Sequence, residues 1–484
     1  MLITSSHTID LSPSIRKKGF RQRQVSNSNT HFKQALYRNS RIHRITLGSQ
    51  LRESKIRLNA WNSVDLKLVT ELGLPAQIPN SDEFPVSCQL LQLRHSQYYA
   101  LSLTNSIECR LAAEEETDSW CQHTSASLPM VNDADDFFSF QTGNNNLVRL
   151  QFKINGKDTC DQEVFIQFEP HQSERDRLYS KDKSPLSLCL GPFQLCCQEP
   201  DDLHVQPLVM WDDNPKNAVN MYRALPLPRE GHYILFQELW DNGTPGKLWD
   251  SALVMNHVFN TLAEVDKQFL CGRRIMDLSA GIGAIGLTIA QTSRINNIQN
   301  PPHIVLTDLE EALPLMKSNQ QLNNIPITEH VSIQRLAWGS SYDINHVLQG
   351  DHRPFDYILI SDVLYNTKDF PALISTFRQL VEKNRHTVII MGYKPRGLQQ
   401  SEEDLFFDEC RSHLRLESLD LESFAREFLD NSPSTAKKLA FLKKSKLLQL
   451  TGVCLYKITH KKSKYRMIHH LSNSKGSNTQ LYKP

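Results

Sequence analysis

A chain of 484 residues, 39% hydrophobic and 22% charged, has material for several domains and a full hydrophobic core. It contains no apolar run of the roughly 18 residues that a membrane-crossing helix needs, and its first residues lack the pattern of a secretory signal. The ten cysteines include no CxxC pair, and Cys196 and Cys197 are adjacent, so no metal centre is expected and the thiols read as reduced and intracellular.

The formal net charge of +1 conceals an uneven distribution. Residues 1–60 carry Arg16, Lys17, Lys18, Arg21, Arg23, Lys33, Arg38, Arg41, Arg44, Arg52, Lys55 and Arg57 against Asp10 and Glu53. That composition predicts a basic, disordered arm. A mitochondrial transit peptide shares it, whereas nucleic-acid binding lacks the aromatic residues that would support it. Residues 61–225 read as a β-rich accessory region. Val148, Leu150, Phe152 and Ile154 alternate with polar residues as a half-buried strand does. Asn155-Gly156 then offers a turn, and Val164–Phe168 is expected to return as the partner strand. Leu186, Leu188 and Leu190 repeat the alternation, and the polar stretches 114–127 and 132–146 read as loops.

The second half changes character. Apolar runs Ile275–Leu278, Ile304–Leu306, Val331–Leu336, Tyr357–Ile360 and Val388–Met391 alternate with helical patterns, which predicts a largely parallel sheet covered on both faces. In the stripe Phe370, Leu373, Ile374, Phe377, Leu380 and Val381 the spacing is helical. Residues 461–484 turn basic and polar again and read as a tail.

Ligands bind at the carboxyl ends of strands in such sheets, and every candidate site residue but Trp249 lies at or follows one. The stretch RIMDLSAGIGAIG (274–286) is strand, small-residue loop and helix, an arrangement in which glycines admit a ligand to backbone N–H groups. Gly281, Gly283 and Gly286 alone also satisfy the GxGxxG dinucleotide pattern. Asp308 follows the second strand at the spacing of a ribose-binding carboxylate, and it also suits the start of a helix. Leu336-Ala337-Trp338-Gly339, Ser361-Asp362-Val363-Leu364-Tyr365 and Tyr393-Lys394-Pro395-Arg396 follow the third, fourth and fifth strands. Leu248-Trp249-Asp250 opens a helix ahead of the first.

The set LWDSALVM, DLSAGIGAIG, TDLEEALPLMKSN, LAWG, SDVLY, YKPR and FF, in this order, resembles the seven-β-strand protein-lysine methyltransferases of the METTL21-like group, methyltransferase family 16. The resemblance spans roughly residues 228–460. It implies a Rossmann-like class I methyltransferase domain over 226–460, with a seven-stranded, mostly parallel sheet, behind a β-rich N-terminal extension. It further implies S-adenosylmethionine as cofactor, a lysine-containing protein as substrate and a cytoplasmic monomer, with mitochondrial or nuclear location as alternatives. Carried over by position, Asp277, Ser279, Gly281 and Gly283 form the cofactor loop and Asp308 holds the ribose. Trp338 lies by the adenine, Trp249 approaches from the N-terminal side, and Ser361 closes the floor. The group's D-x-x-Y motif falls on Asp362 and Tyr365, which implies that they position the target amine. The chain departs from the pattern at Asp277 (usually Glu), Ser279 (usually Gly) and Ile282 (commonly Thr). Methylation of a histidine or a small molecule, or a binding module with little turnover, would share these cofactor motifs.

Overall fold

The computed structural model describes residues 39–48, 55–76, 84–94, 97–100, 107–111, 137–140, 147–156, 163–170, 185–196, 206–207, 220–326, 330–349, 353–429, 439, 442 and 445–461. The expectations for residues 1–38, for 114–127 and for the tail beyond 461 lie outside them.

The first half of the described chain is a sandwich of two sheets. One runs in the order Pro185–Leu186, His43–Leu47, Trp61–Val69, Leu147–Ile154 and Ile107–Leu111. The other runs Asn220–Pro226, His232–Gln237, Gln97–Ala100, Phe84–Arg94, Glu163–Pro170, Leu188–Cys196 and Lys55–Arg57. Ile45, Leu66, Leu150 and Phe152 from the first meet Leu90, Val164, Ile166 and Leu190 from the second in one core. The strand at Val164 therefore does not return beside the strand at Val148, as expected above. Glu163–Pro170 pairs with Phe84–Arg94 and with Leu188–Cys196 in the opposite sheet. The reason is visible in its composition: Val164 and Ile166 fill the sandwich while Phe165 is buried on the outer face, so both faces need cover. Part of the stretch read as a loop at 132–146 is also a strand, Phe137–Phe140, paired with Phe84–Ser87.

Two expected boundaries are corrected here. The basic arm does not extend to residue 60, because His43–Leu47 and Lys55–Arg57 are sheet strands with Ile42, Ile45, Ile56 and Leu58 buried. Its charge excess conceals alternating apolar residues that find partners far along the chain. The limit at 225/226 falls inside an antiparallel hairpin in which Pro226 faces Tyr233.

The second half is a three-layer α/β unit. Its strands are β1 (Arg274–Leu278), β2 (His303–Asp308), β3 (Val331–Arg335), β4 (Tyr357–Ser361), β5 (Val388–Tyr393), β6 (Leu414–Leu419) and β7 (Cys454–His460). They form a 7-stranded sheet in the order β3-β2-β1-β4-β5-β7-β6. β3 to β5 are parallel, and β7 runs antiparallel to both of its neighbours. Helices α1 (Asp250–Val265), α2 (Ala284–Ile295) and α3 (Leu313–Leu322) cover one face, packing on Ile275, Leu306, Leu359 and Ile390. Helices α4 (Ser341–Gln349), α5 (Phe370–Lys383) and α6 (Gln400–His413) cover the other, on Met276, Ile358, Ile360 and Ile389. Adjacent residues of each strand serve opposite faces, which is why the central strands β2, β4 and β5 carry continuous apolar runs rather than alternating ones.

The sandwich is joined closely to this unit. On the edge of His232–Gln237 the backbone N–H groups of Leu235 and Gln237 donate to Asn323 Oδ1 (2.9 Å) at the C-cap of α3 and to Asn319 Oδ1 (2.7 Å) within it. Two asparagine amides thus satisfy a strand edge that lacks a neighbouring strand at these positions.

Candidate active site

The loop after β1 is shaped by residues that tolerate left-handed backbone. Ser279, Gly281 and Gly283 have φ of 61°, 56° and 82°. Ser279 carries a Cβ in this region, and its Oγ accepts a hydrogen bond from Trp338 Nε1 at 2.9 Å. The serine that replaces the usual glycine is therefore tied to the tryptophan placed after β3. At Gly283 a Cβ would stand 3.0 Å from Leu287 and Met316 side chains, so only glycine lets α2 start so close to β2 and α3. At Gly281 a Cβ would lie 3.3 Å from the carbonyl oxygen of Pro245, which shows that the segment before α1 rests on the loop.

Two carboxylates hold this loop. Asp277, buried at the end of β1, accepts from the N–H of Gly286 in the first turn of α2 (2.8 Å), where the helix dipole favours negative charge. Asp308, at the end of β2, accepts from Gly281 N (2.8 Å) and Leu309 N (2.7 Å). Burial pushes the Asp277 carboxyl up to about 7, with the charge of Asp308 adding to the rise and the Gly286 N–H opposing it. Burial also raises Asp308. Among the described residues neither carboxylate makes an ion pair with a Lys, Arg or His. The sign of the Asp277 effect is testable. A folded pKa above the unfolded 3.8 means that folding takes up a proton between the two values, so stability falls as pH rises from 3.8 towards about 7. Without ligand, Asp277→Asn should stabilise the protein by on the order of 2–4 kcal/mol at about pH 8 and hardly at all at about pH 4. Thermal melts of both proteins across that range check this. A shift that does not depend on pH would show that Asp277 stays ionised in the fold.

At the ends of β4 and β5 lies a chain of buried charges. Asp362, with φ 55°, follows β4, and its side chain is 1% exposed. Its Oδ1 accepts from Ser251 Oγ (2.8 Å), Lys394 N (3.1 Å) and Arg396 Nη1 (2.7 Å), and its Oδ2 from Ser251 N (2.7 Å). The expectation that Asp362 itself takes the target ammonium does not suit this arrangement, because its oxygens are already committed to these donors. Arg396 Nε lies 3.6 Å from Glu71 Oε1, and the guanidinium sits 4.9 Å over the Trp249 ring. Lys394 Nζ is bound between Glu71 (3.3 Å) and Asp250. Asp250 in turn pairs with Arg44 at 2.5 Å. Beside it, Glu238 accepts from Leu248 N and from Trp240 Nε1 and pairs with Arg223 at 2.7 Å. Neighbouring positive charges hold Asp250 well below the usual carboxylate range despite its burial, and Asp362 foremost raises Arg396.

The remaining expected residues fall nearby. Trp249 caps the start of α1 with its Nε1 donating to Thr244 O (2.8 Å). Ser361 ends β4 in register with Gly392 and is half-buried. Tyr365 is 55% exposed. Partial burial, then the carboxylates of Asp308, Asp369 and Glu311, raise its phenol, so it stands at the rim among acidic groups.

The sequence family described as lysine methyltransferase matches residues 229–413. Those residues are thus similar to a lysine methyltransferase domain. A UPF0665 family protein of Schizosaccharomyces pombe is 28% identical over 213 residues, covering 40% of this chain and 59% of that protein. The protein N-lysine methyltransferase METTL21A of Danio rerio is 26% identical over 221 residues, 45% of this chain and 91% of that protein. The protein-lysine N-methyltransferase EFM6 of Saccharomyces cerevisiae is 24% identical over 198 residues, 38% and 76% respectively. These matches cover less than half of the present chain, and the chain spans under two thirds of the yeast UPF0665 protein.

The stretch matched by that family begins inside the second sheet of the sandwich, and residues from before its start reach the strand ends of the α/β unit. Arg44 and Glu71 gave no signal in the sequence, since a buried cation within a basic stretch and a single glutamate look like surface residues. Lys394 and Arg396 stood in a motif at a strand end, but the two carboxylates that hold Lys394 Nζ lie 323 and 144 positions away in the chain. Among the described residues no group of three His, Cys, Asp or Glu is placed to hold a metal ion, and no helix is long and apolar enough to cross a membrane.

Proposed function

We propose that this chain is a class I methyltransferase that uses S-adenosylmethionine to methylate a lysine side chain of a protein. The observation that carries the reading is the meeting, at one sheet edge, of the left-handed glycine loop, the Asp308 carboxylate tied to Gly281 N–H, and Trp338 pinned to Ser279. The strand order, with one antiparallel strand entering beside β5, is that expected of the class. The residues fit the cofactor chemically: Asp277 and Asp308 lack a cationic partner among the described residues, and a sulfonium-bearing ligand is cationic. That relatives are named protein-lysine methyltransferases supports lysine as the acceptor.

In this reading Asp308 keeps lone pairs for the ribose hydroxyls while Gly281 and Gly283 open the backbone to the ligand. Trp338 and Trp249 flank it, Asp277 and Ser279 shape the loop, and Ser361 closes the floor. The cofactor supplies an electrophilic methyl group. The chain's own residues align and desolvate the amine. Tyr365 gives an aromatic wall, and the surrounding carboxylates draw in the ammonium, which must lose its proton to water before it reacts. Incubation with labelled S-adenosylmethionine and cell extract should place label on lysine of a protein, and label on histidine or on a small molecule would overturn the acceptor. Asp308→Ala should weaken cofactor binding by about 1–3 kcal/mol, read by calorimetry. Unchanged affinity would remove Asp308 from the site, and tighter binding of NAD would overturn the assignment.

A further inference from the structure

The buried charges at the domain junction alternate in sign along a continuous path: Arg44, Asp250, Lys394, Glu71, Arg396, Asp362. Most of the path belongs to the methyltransferase unit, in the start of α1 and the segments after β4 and β5. Arg44 and Glu71 come from the sandwich, and Glu71 stands at its centre. One Glu71 oxygen serves both Lys394 and Arg396, with the side chain 1% exposed. In so dry a position a cation loses far more than a surface pair would if its partner disappears. Beyond Arg396 the path ends on the two elements that border the reaction space, the left-handed Asp362 ahead of Tyr365 and the Trp249 ring.

We propose that Glu71 is a positioning residue for methyl transfer. Through Lys394 and Arg396 it fixes Asp362 and Trp249, so the β-sandwich is a working part of the active site and not an appended module. The inference rests on the methyltransferase reading above for its kinetic consequence. Its geometric core, that Glu71 orders these segments, does not. Without the Glu71 charge, Lys394 keeps Asp250 as its ion-pair partner, and Arg396 loses its second anchor. Glu71→Asp keeps the charge and should recover most of what Glu71→Gln loses.

The test uses the full chain. Hydrogen exchange followed by mass spectrometry should show faster exchange in Glu71→Gln at residues 247–252, 361–365 and 393–397, with β1 unchanged. Glu71→Asp should lie near the wild type. At a temperature where both variants are folded, turnover on the labelled substrate should fall by about tenfold to a hundredfold in Glu71→Gln, with KM for the cofactor moving less than kcat. Should Glu71→Gln not fold, the charge-balanced pair Glu71→Gln with Lys394→Met carries the test. It restores neutrality and stability, yet leaves Arg396 without its second anchor and turnover low. Unchanged exchange in the named segments overturns the inference whether or not a substrate has been found. Turnover within twofold of the wild type overturns it equally. Wild-type protein that binds no S-adenosylmethionine overturns the functional reading instead, and the exchange result then still decides whether Glu71 orders the site.

Discussion

A chain that begins at residue 61 loses its cooperative fold. The deletion removes the strands His43–Leu47 and Lys55–Arg57, one of which lies between two neighbours in its sheet. It takes with them Ile42, Ile45, Ile56 and Leu58, each at most 5% exposed. Burial of such side chains contributes about 1.5–3 kcal/mol apiece, and their loss also uncovers the residues opposite. Arg44 goes too, so Asp250, whose side chain is 0% exposed, loses one of its two ion-pair partners among the described residues. Breaking a buried pair from one side costs about 3–5 kcal/mol by itself. Against a typical total stability of roughly 5–15 kcal/mol, these losses leave no stable native state. The truncated chain should be insoluble or should melt without a transition in circular dichroism. A sharp melt within a few degrees of the full chain would show that the first strands contribute little.

Asp362→Ala should lower both the melting temperature and the turnover per folded molecule. The carboxylate is the common acceptor for α1, through both Ser251 donors, and for the Lys394–Arg396 segment. Its removal takes away the closest carboxylate of the Arg396 guanidinium, a loss of about 3–5 kcal/mol. It also places alanine at a φ of 55°, where aspartate and asparagine are tolerated better. Asp362→Asn keeps an acceptor and the backbone preference, so its melting temperature should fall between the two. Turnover normalised to folded protein should drop about a hundredfold in the alanine variant, because the segments beside Tyr365 and Trp249 lose alignment. A variant that melts like the wild type would show that the carboxylate is not a structural junction. Full specific activity in a destabilised variant would confine its role to stability.

How far each property could be read in the chain follows from the range of the interactions that set it. The central strands of the α/β unit were legible because a strand covered on both faces must be almost wholly apolar, as Ile304–Leu306 and Val388–Met391 are. The loop after β1 was legible because backbone at positive φ admits few residue types over a short stretch. Ser279 departs from the glycine expected there, and only the fold shows the Trp338 hydrogen bond that accompanies it. In the sandwich, alternation located the strands at Val148 and Val164 but not their partners. A period of two says which face is buried and nothing about which sheet lies beside it. The basic stretch misled for a related reason. Charge counts register Arg44 as one more solvated cation, while its partner Asp250 lies 206 residues away. The sequence by itself thus determined the class of fold, the loop and the identity of the motif residues, all set by local backbone and packing preferences. Only the tertiary structure decided that Asp362 is committed to Arg396, and that Arg44 and Glu71 stand behind it. A buried ion pair is defined by proximity and exclusion of water, and neither exists until distant segments have packed together.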